Sequence, residues 1–244
     1  MKKIVFCSDL TNPPGHYTEQ DGSTPAGVAV EMLQALGREF SVPIEILNLK
    51  LAGIFAALDT GKCDAVMSSL SRTPERAQKY NFVDYWAVAS GLLVKKGNPG
   101  NLRAYTDLSG KRVAVLLGSA NHRRLDAINE EFGKSGKPKI DIAAFGANTV
   151  AFHDLDLGRV DAMVSDTLTL SFFLTRANGK FEIGGTPVPP TTLGMVTAKS
   201  ATELAAALRS GLDNINASGE FPQLIKKWGV AEGVILCSTA KPCP

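Results

Sequence analysis

The chain has 244 residues, of which 44% are hydrophobic and 20% charged, and Lys plus Arg exceed Asp plus Glu by only 26 to 24. This is ordinary globular composition, which excludes a disordered or fibrous chain, and the length allows one large or two smaller domains. No apolar run approaches the roughly 18 residues of a helical membrane span, and the basic residues are scattered apart from Lys95-Lys96, Arg123-Arg124 and Lys226-Lys227, so the basic stripe of a nucleic-acid binder is absent.

Met1-Lys2-Lys3 runs straight into Ile4-Val5-Phe6, too short for a secretory apolar region and read instead as a first strand over 3–8. Either the protein is cytoplasmic or a signal peptide has been removed and a start Met added. A helix follows over 28–40, its apolar positions Val28, Met32, Leu33, Leu36 and Phe40 recurring three and four apart, so that one face packs on a sheet. A strand over 44–49, a helix over 54–60 closed by Gly61-Lys62, and a strand over 65–69 complete a parallel α/β half.

An extended apolar run over 87–94 leads into Lys96-Gly97-Asn98-Pro99-Gly100, where a boundary is expected. The pattern then restarts with strand 112–116, helix 119–132, strand 140–144, helix 150–157, strand 162–165 and helix 168–176. Gly61-Lys62-Cys63-Asp64-Ala65-Val66-Met67 and Gly158-Arg159-Val160-Asp161-Ala162-Met163-Val164 echo each other, which predicts two lobes of similar architecture with Asp64 and Asp161 as structural turn residues. The Pro-rich stretch 184–192 cannot be a regular helix; strand 194–197 after it reads as a second crossing, with helices 201–217 and 221–228 returning to the first lobe. The expected domains are 1–90 plus 190–244, and 91–189, joined by a two-strand hinge with a ligand cleft between the lobes.

The most informative segment is Ser68-Ser69-Leu70-Ser71-Arg72-Thr73-Pro74-Glu75-Arg76, placed after a buried-strand signal. Thr73 suits an N-cap and Pro74 the first helical position, so the loop ends on helical N–H groups beside the Ser69 and Ser71 hydroxyls and the Arg76 guanidinium. That is chemistry for a carboxylate. The competing reading is an ordinary capped loop, with Arg76 paired to Glu75 or Asp84.

Cys237 and Cys243 sit in a Pro-containing tail where a small disulfide loop is expected, pointing to an oxidising compartment, whereas Cys7 and Cys63 read as buried thiols packed as small hydrophobes. No Cys-x-x-Cys occurs and His16, His122 and His153 are far apart, so no metal or other cofactor is expected.

Several motifs occur in order: the 68–76 segment followed by Phe82-Val83-Asp84-Tyr85, then Asp107-Leu108 with Gly110-Lys111-Arg112-Val113-Ala114-Val115, then Leu157-Gly158-Arg159-Val160-Asp161-Ala162, and finally Gly219-Glu220-Phe221-Pro222 through Trp228. Over nearly the whole chain this set resembles the periplasmic polar-amino-acid solute-binding proteins of ABC importers. The resemblance implies a periplasmic-binding-protein-like fold of type II and a monomer that delivers an amino acid, or an amino-acid derivative such as an opine, to ABC permease membrane subunits. It implies that Arg76 and a backbone N–H at Ser71 hold the ligand α-carboxylate, with Ser69 and Leu70 beside them, while Ser69 accepts from the α-amino group. The second lobe would add Ser119 and Ala120 at a helix N-terminus, and Asp166 would pair with the α-ammonium. Capping is the competing role for both Ser119 and Asp166.

Where relatives of this kind carry clamping aromatic rings, this chain has Asn12, Gly15 and Gly53, which implies a wider or more polar side-chain pocket. Asp9 would meet a cationic or hydroxylated ligand group, and Tyr17 would supply a stacking face. Two alternatives share the scaffold: a dehydratase of the cyclohexadienyl or arogenate type, and a ligand-sensing receptor ectodomain. The next acidic residue after Asp166 is Glu182, so the intervening helix lacks the acid a dehydratase would use, and His122 reads as a helix-surface residue rather than a base.

Overall fold

The computed structural model describes residues 3–230 and 233–243. In chain order it contains β1 (Ile4–Ser8), β2 (Thr11–Asn12), β3 (His16–Thr18), β4 (Pro25–Ala26), α1 (Val28–Phe40), β5 (Ile44–Asn48), α2 (Leu51–Asp59), β6 (Ala65–Ser71), α3 (Pro74–Lys79) and β7 (Tyr80–Lys95). There follow β8 (Arg112–Leu116), α4 (Ala120–Lys134), β9 (Asp141–Phe145), α5 (Asn148–Asp156), β10 (Ala162–Asp166), α6 (Thr167–Arg176), β11 (Phe181–Ala198), α7 (Thr202–Ala217), α8 (Glu220–Lys227) and β12 (Ile235–Leu236). Two compact units emerge: the chain up to Val88 together with the chain from Pro190 onward, and Ala89–Pro189.

In the first unit β1 lies parallel between β5 and β6, and β11 runs antiparallel to β6. Helix α1 buries Val28, Met32, Leu33 and Leu36 on its core face. It packs closely on α7 at Gly211, where a Cβ would stand 2.4 Å from the Phe40 ring. In the second unit β9, β8 and β10 are parallel, and the end of β7 adds antiparallel to β10. Its core follows the pleat. Leu92, Val94, Val113, Val115, Ala162 and Val164 pack with Leu125 and Phe132 of α4 on one face, while Leu93, Ala114 and Met163 pack with Leu155 of α5 and Phe173 of α6 on the other. Strands buried on both faces read as continuous apolar runs, which is why their alternation was muted in the sequence. The class is α/β with mainly parallel sheets.

The two echoed motifs do the same work in their own units. Asp64 Oδ2 accepts from Val5 N–H at 2.8 Å while its own N–H donates to the Val5 carbonyl; Asp161 repeats both bonds on Arg112, also at 2.8 Å. Gly61 and Gly158, three residues earlier in each, have φ of 70° and 71°, the left-handed turn that ends the preceding helix.

Three differences from the sequence expectation have physical causes. Helix α2 begins at Leu51 rather than 54, because the Asp9 carboxylate, 42 residues away, accepts the Leu51 N–H at 2.7 Å. Strand β11 starts at Phe181 and continues through the Pro-rich stretch, since the fixed φ of proline suits extended chain even though it forbids helix. Cys7 and Cys63, expected as thiols, form a disulfide with Cα atoms 5.8 Å apart: β1 and β6 are parallel neighbours, which brings Cys63, two residues before β6, against β1. Cys237 and Cys243 are also bonded, as expected from their spacing, with Cα atoms 5.0 Å apart. Among the described residues no helix is long and apolar enough to cross a membrane, and no group of three metal-ligating side chains gathers.

Candidate ligand-binding site

In the first unit the nominated residues collect at the carboxyl ends of β1 and β6, where open α/β sheets take ligands. Strand β6 does not end regularly. Its register against β11 shifts between Gly194 and Val196, and Ser69 on the opposing stretch has φ of 47°. Left-handed backbone costs a non-glycine residue on the order of 1 kcal/mol and is found preferentially at ligand sites, where a bulge re-aims a side chain. Leu70 is buried, so what it offers a ligand is backbone.

Thr73 caps α3, its hydroxyl accepting from the Arg76 N–H at 3.4 Å, with Pro74 at the first helical position. The Arg76 side chain turns back over the loop. Its Nη1 donates to the Ser71 carbonyl at 3.1 Å, its Cζ lies 5.1 Å from the centroid of the Phe55 ring, and the residue is only 8% exposed. Asp84, one of the partners considered for Arg76, is bonded to Arg72 at 2.5 Å. Phe55 is backed by Tyr80 at a centroid distance of 4.9 Å. Burial first, then the hydrogen bond to Asp59, raises the Tyr80 phenol above its ordinary range. Phe55 is a residue that the sequence reading did not nominate.

His16 is another. A tight hairpin pairs Asn12 with His16 across β2 and β3 and Tyr17 with Ala26 across β3 and β4. It is tied to α1 by Val28 N–H to the Pro14 carbonyl at 3.0 Å and Ala29 N–H to the Gly15 carbonyl at 2.8 Å. The hairpin delivers Asn12 and His16 to Ser69: Asn12 Nδ2 and His16 Nε2 each lie 2.9 Å from its Oγ, and His16 Nδ1 lies 2.8 Å from the Asp9 carbonyl. His16 is 1% exposed. Asn12 thus bears on Ser69 rather than standing apart as a pocket wall. A Cβ added at Gly15 would press on the Asn12 carbonyl oxygen at 3.2 Å and sit 3.8 Å from Ser69 Oγ, whereas one at Gly53 would meet nothing within 4 Å, so there is open space at Gly53 and little at Gly15. Tyr17 is engaged edge-on with Trp228 at 6.3 Å.

Asp9 departs from its expected role. Its Oδ2 accepts from Leu51 N–H and its Oδ1 from the Thr11 hydroxyl at 2.8 Å, and the residue is 2% exposed. A buried carboxylate so engaged anchors β1, β2 and α2 to one another, and its backbone carbonyl, not its charge, faces His16.

In the second unit Ser119 and Asp166 both cap helices that follow neighbouring parallel strands, β8 and β10. Ser119 Oγ accepts from His122 N–H at 3.0 Å, and Ala120 is the first residue of α4. His122 Nδ1 accepts from Gly118 N–H at 3.2 Å, which ties the ring to the turn that precedes α4. Asp166 Oδ1 accepts from Thr169 N–H at 2.9 Å and Oδ2 from the Thr169 hydroxyl at 3.0 Å. The capping role of both residues is therefore realised.

The comparisons with known proteins agree with this architecture. The family model described as bacterial extracellular solute-binding proteins, family 3, matches residues 4–231. The L-cystine-binding protein TcyJ of Escherichia coli (strain K12) is 28% identical over 220 residues, covering 89% of this chain and 79% of that protein. Among solved structures, an ancestral arginine-binding protein bound to arginine matches with a TM-score of 0.86 at 26% identity, over 93% of this chain and 98% of that one. The ancestral amino acid-binding protein AncCDT-1, described as a precursor of cyclohexadienyl dehydratase, matches with a TM-score of 0.79 at 29% identity, over 93% and 95% of the two chains. Matched over nearly all of its length and folded as two α/β units, the chain belongs to the bacterial extracellular solute-binding proteins of family 3.

Proposed function

We propose that this protein is the substrate-binding component of an ABC importer, capturing an amino acid or amino-acid derivative by hinge closure and passing it to a membrane permease. The observation that carries the reading is the guanidinium of Arg76, held over the strained end of β6 by the Ser71 carbonyl and the Phe55 face. A fixed, planar cation beside backbone N–H groups is matched to a carboxylate. Ser69, held by Asn12 and His16, takes the α-amino group. In the second unit Ser119 and the first turn of α4 serve the carboxylate, and Asp166 serves the ammonium from its cap position. Each unit then offers one contact to the carboxylate and one to the ammonium, so the ligand class favoured is a zwitterion.

The four cysteines are all paired, which suits an oxidising compartment and supports a periplasmic station. The protein acts as a monomer that meets its permease transiently. L-cystine and arginine, named for two of its relatives, are the first ligands to try. The open space at Gly53 favours a ligand with a broad or polar side chain, opines included. A dehydratase is the less supported alternative, since α6 carries no acid after Asp166. Thermal melts of the purified protein with the twenty standard L-amino acids, L-cystine and opine conjugates test the reading: a bound ligand raises the midpoint by mass action. No shift with any zwitterion, combined with turnover of a prephenate-like substrate, would sink it.

A further inference from the structure

The bonds around Ser69 have a direction. The Asp9 carbonyl can only accept, so the contact at 2.8 Å requires a hydrogen on His16 Nδ1. In the neutral imidazole Nε2 is then a lone pair, and the Ser69 hydroxyl at 2.9 Å must donate to it. Asn12 Nδ2 donates into Ser69 Oγ at 2.9 Å. With its one hydrogen committed to His16 and one lone pair to Asn12, Ser69 Oγ presents a remaining lone pair, which recognises only a donor.

We infer that His16 is a positioning residue that sets the polarity of Ser69, making it an obligate acceptor for the ligand ammonium and closing it to carboxylate or carbonyl oxygens. This rests on the amino-acid-binding reading above and adds to it a selection step on the amino group. The step is built on the hairpin and β1 rather than on charge: Asp9 fixes the tautomer through its backbone, while its carboxylate is occupied by Leu51 and Thr11. Without His16 the Ser69 hydroxyl could rotate and offer its hydrogen outward, and discrimination between ammonium and oxygen at that point would fall.

The test uses isothermal titration of the whole protein with L-arginine and its des-amino analogue 5-guanidinopentanoate, and with whichever standard amino acid or L-cystine binds best, paired with its own des-amino acid. His16→Asn keeps a donor near the Asp9 carbonyl but cannot reach Ser69; His16→Gln reaches Ser69 with an acceptor. His16→Asn is expected to weaken the amino acid about tenfold or more, the worth of a hydrogen bond to a charged group, and to leave the des-amino acid within about twofold. His16→Gln is expected to retain affinity within about threefold, and in a Ser69→Ala background His16→Asn should cost nothing further. Equal losses for both ligands, or losses that multiply in the double variant, would overturn the inference. Should His16→Asn fail to fold, Ser69→Ala and His16→Gln carry the comparison, and a Ser69→Ala loss shared equally by both ligands overturns it. Failure of every amino acid to bind the wild type would instead overturn the amino-acid reading itself.

Discussion

The guanidinium carbon of Arg76 lies 5.1 Å from the centroid of the Phe55 ring, and the same side chain donates to the Ser71 carbonyl at 3.1 Å. A cation oriented by a ring face on one side and a carbonyl on another has little rotamer freedom left to lose when a carboxylate arrives, so binding energy is not consumed in ordering it. Arg76→Gln is therefore expected to lower amino-acid affinity at least about a hundredfold, because a bidentate charged contact disappears. The melting midpoint without ligand should move by no more than about 4 °C, corresponding to about 1 kcal/mol. Phe55→Leu, which removes the ring face but leaves the charge, should weaken binding by about tenfold or less. Titration calorimetry on both variants checks the order; unchanged affinity in Arg76→Gln would put the carboxylate elsewhere.

Asp166 combines a cap with a charge, and asparagine separates the two. Asn is as good an N-cap as Asp, so Asp166→Asn should preserve the bond to Thr169 N–H and the stability, while weakening any ligand whose ammonium pairs with the carboxylate. Asp166→Ala should in addition lose about 1 kcal/mol of stability. Denaturant melts paired with titrations read both effects. Intact affinity in Asp166→Asn would leave Asp166 as a cap alone.

What the sequence made legible was whatever is periodic or local. Helix α1 declared itself through Val28, Met32, Leu33 and Leu36, and the Gly61 to Met67 and Gly158 to Val164 echo through its repeated Asp, because each signal lies within a few residues of its partner. The loop from Ser68 to Arg76 was legible for the same reason: cap, proline and arginine follow one another. The hairpin of β2, β3 and β4 was not, since strands of two or three residues have no period. His16 stayed hidden because its partners Asp9 and Ser69 are joined to it by topology, and the only local hint was its position across a turn from Asn12. The start of α2 and the Cys7–Cys63 bridge depend likewise on which strands lie beside β1.

The two disulfides should contribute unequally. In the chain-entropy account a cross-link restrains the unfolded chain in proportion to the logarithm of the loop it closes, here separations of 56 residues for Cys7–Cys63 and 6 for Cys237–Cys243. That corresponds to about 4 kcal/mol and about 2 kcal/mol respectively. Urea unfolding of Cys7→Ala/Cys63→Ala and of Cys237→Ala/Cys243→Ala should show the first pair losing clearly more. Because Cys7 lies two residues before Asp9, the first pair should also weaken ligand binding, whereas the tail pair should leave it unchanged. Equal stability losses would contradict the loop argument.

Gly27 joins the hairpin to α1, and its geometry leaves no room for a side chain. Its φ is 121°, and a Cβ there would stand 2.3 Å from the Gly15 carbonyl oxygen and 2.7 Å from that of Pro14. Those two carbonyls receive the N–H groups of Ala29 and Val28, so backbone and not a flexible side chain would have to move. Gly27→Ala is expected to cost about 3 kcal/mol or more, combining the φ penalty with the displaced helix start. Displacement of the Pro14–Gly15 turn would also pull His16 from Ser69, so affinity should fall together with stability. Gly53→Ala serves as the control: nothing lies within 4 Å of its Cβ, and its place in α2 makes alanine the better helix former by roughly 1 kcal/mol. A Gly27→Ala protein that melts and binds like the wild type would show that the hairpin is not held to α1 in this way.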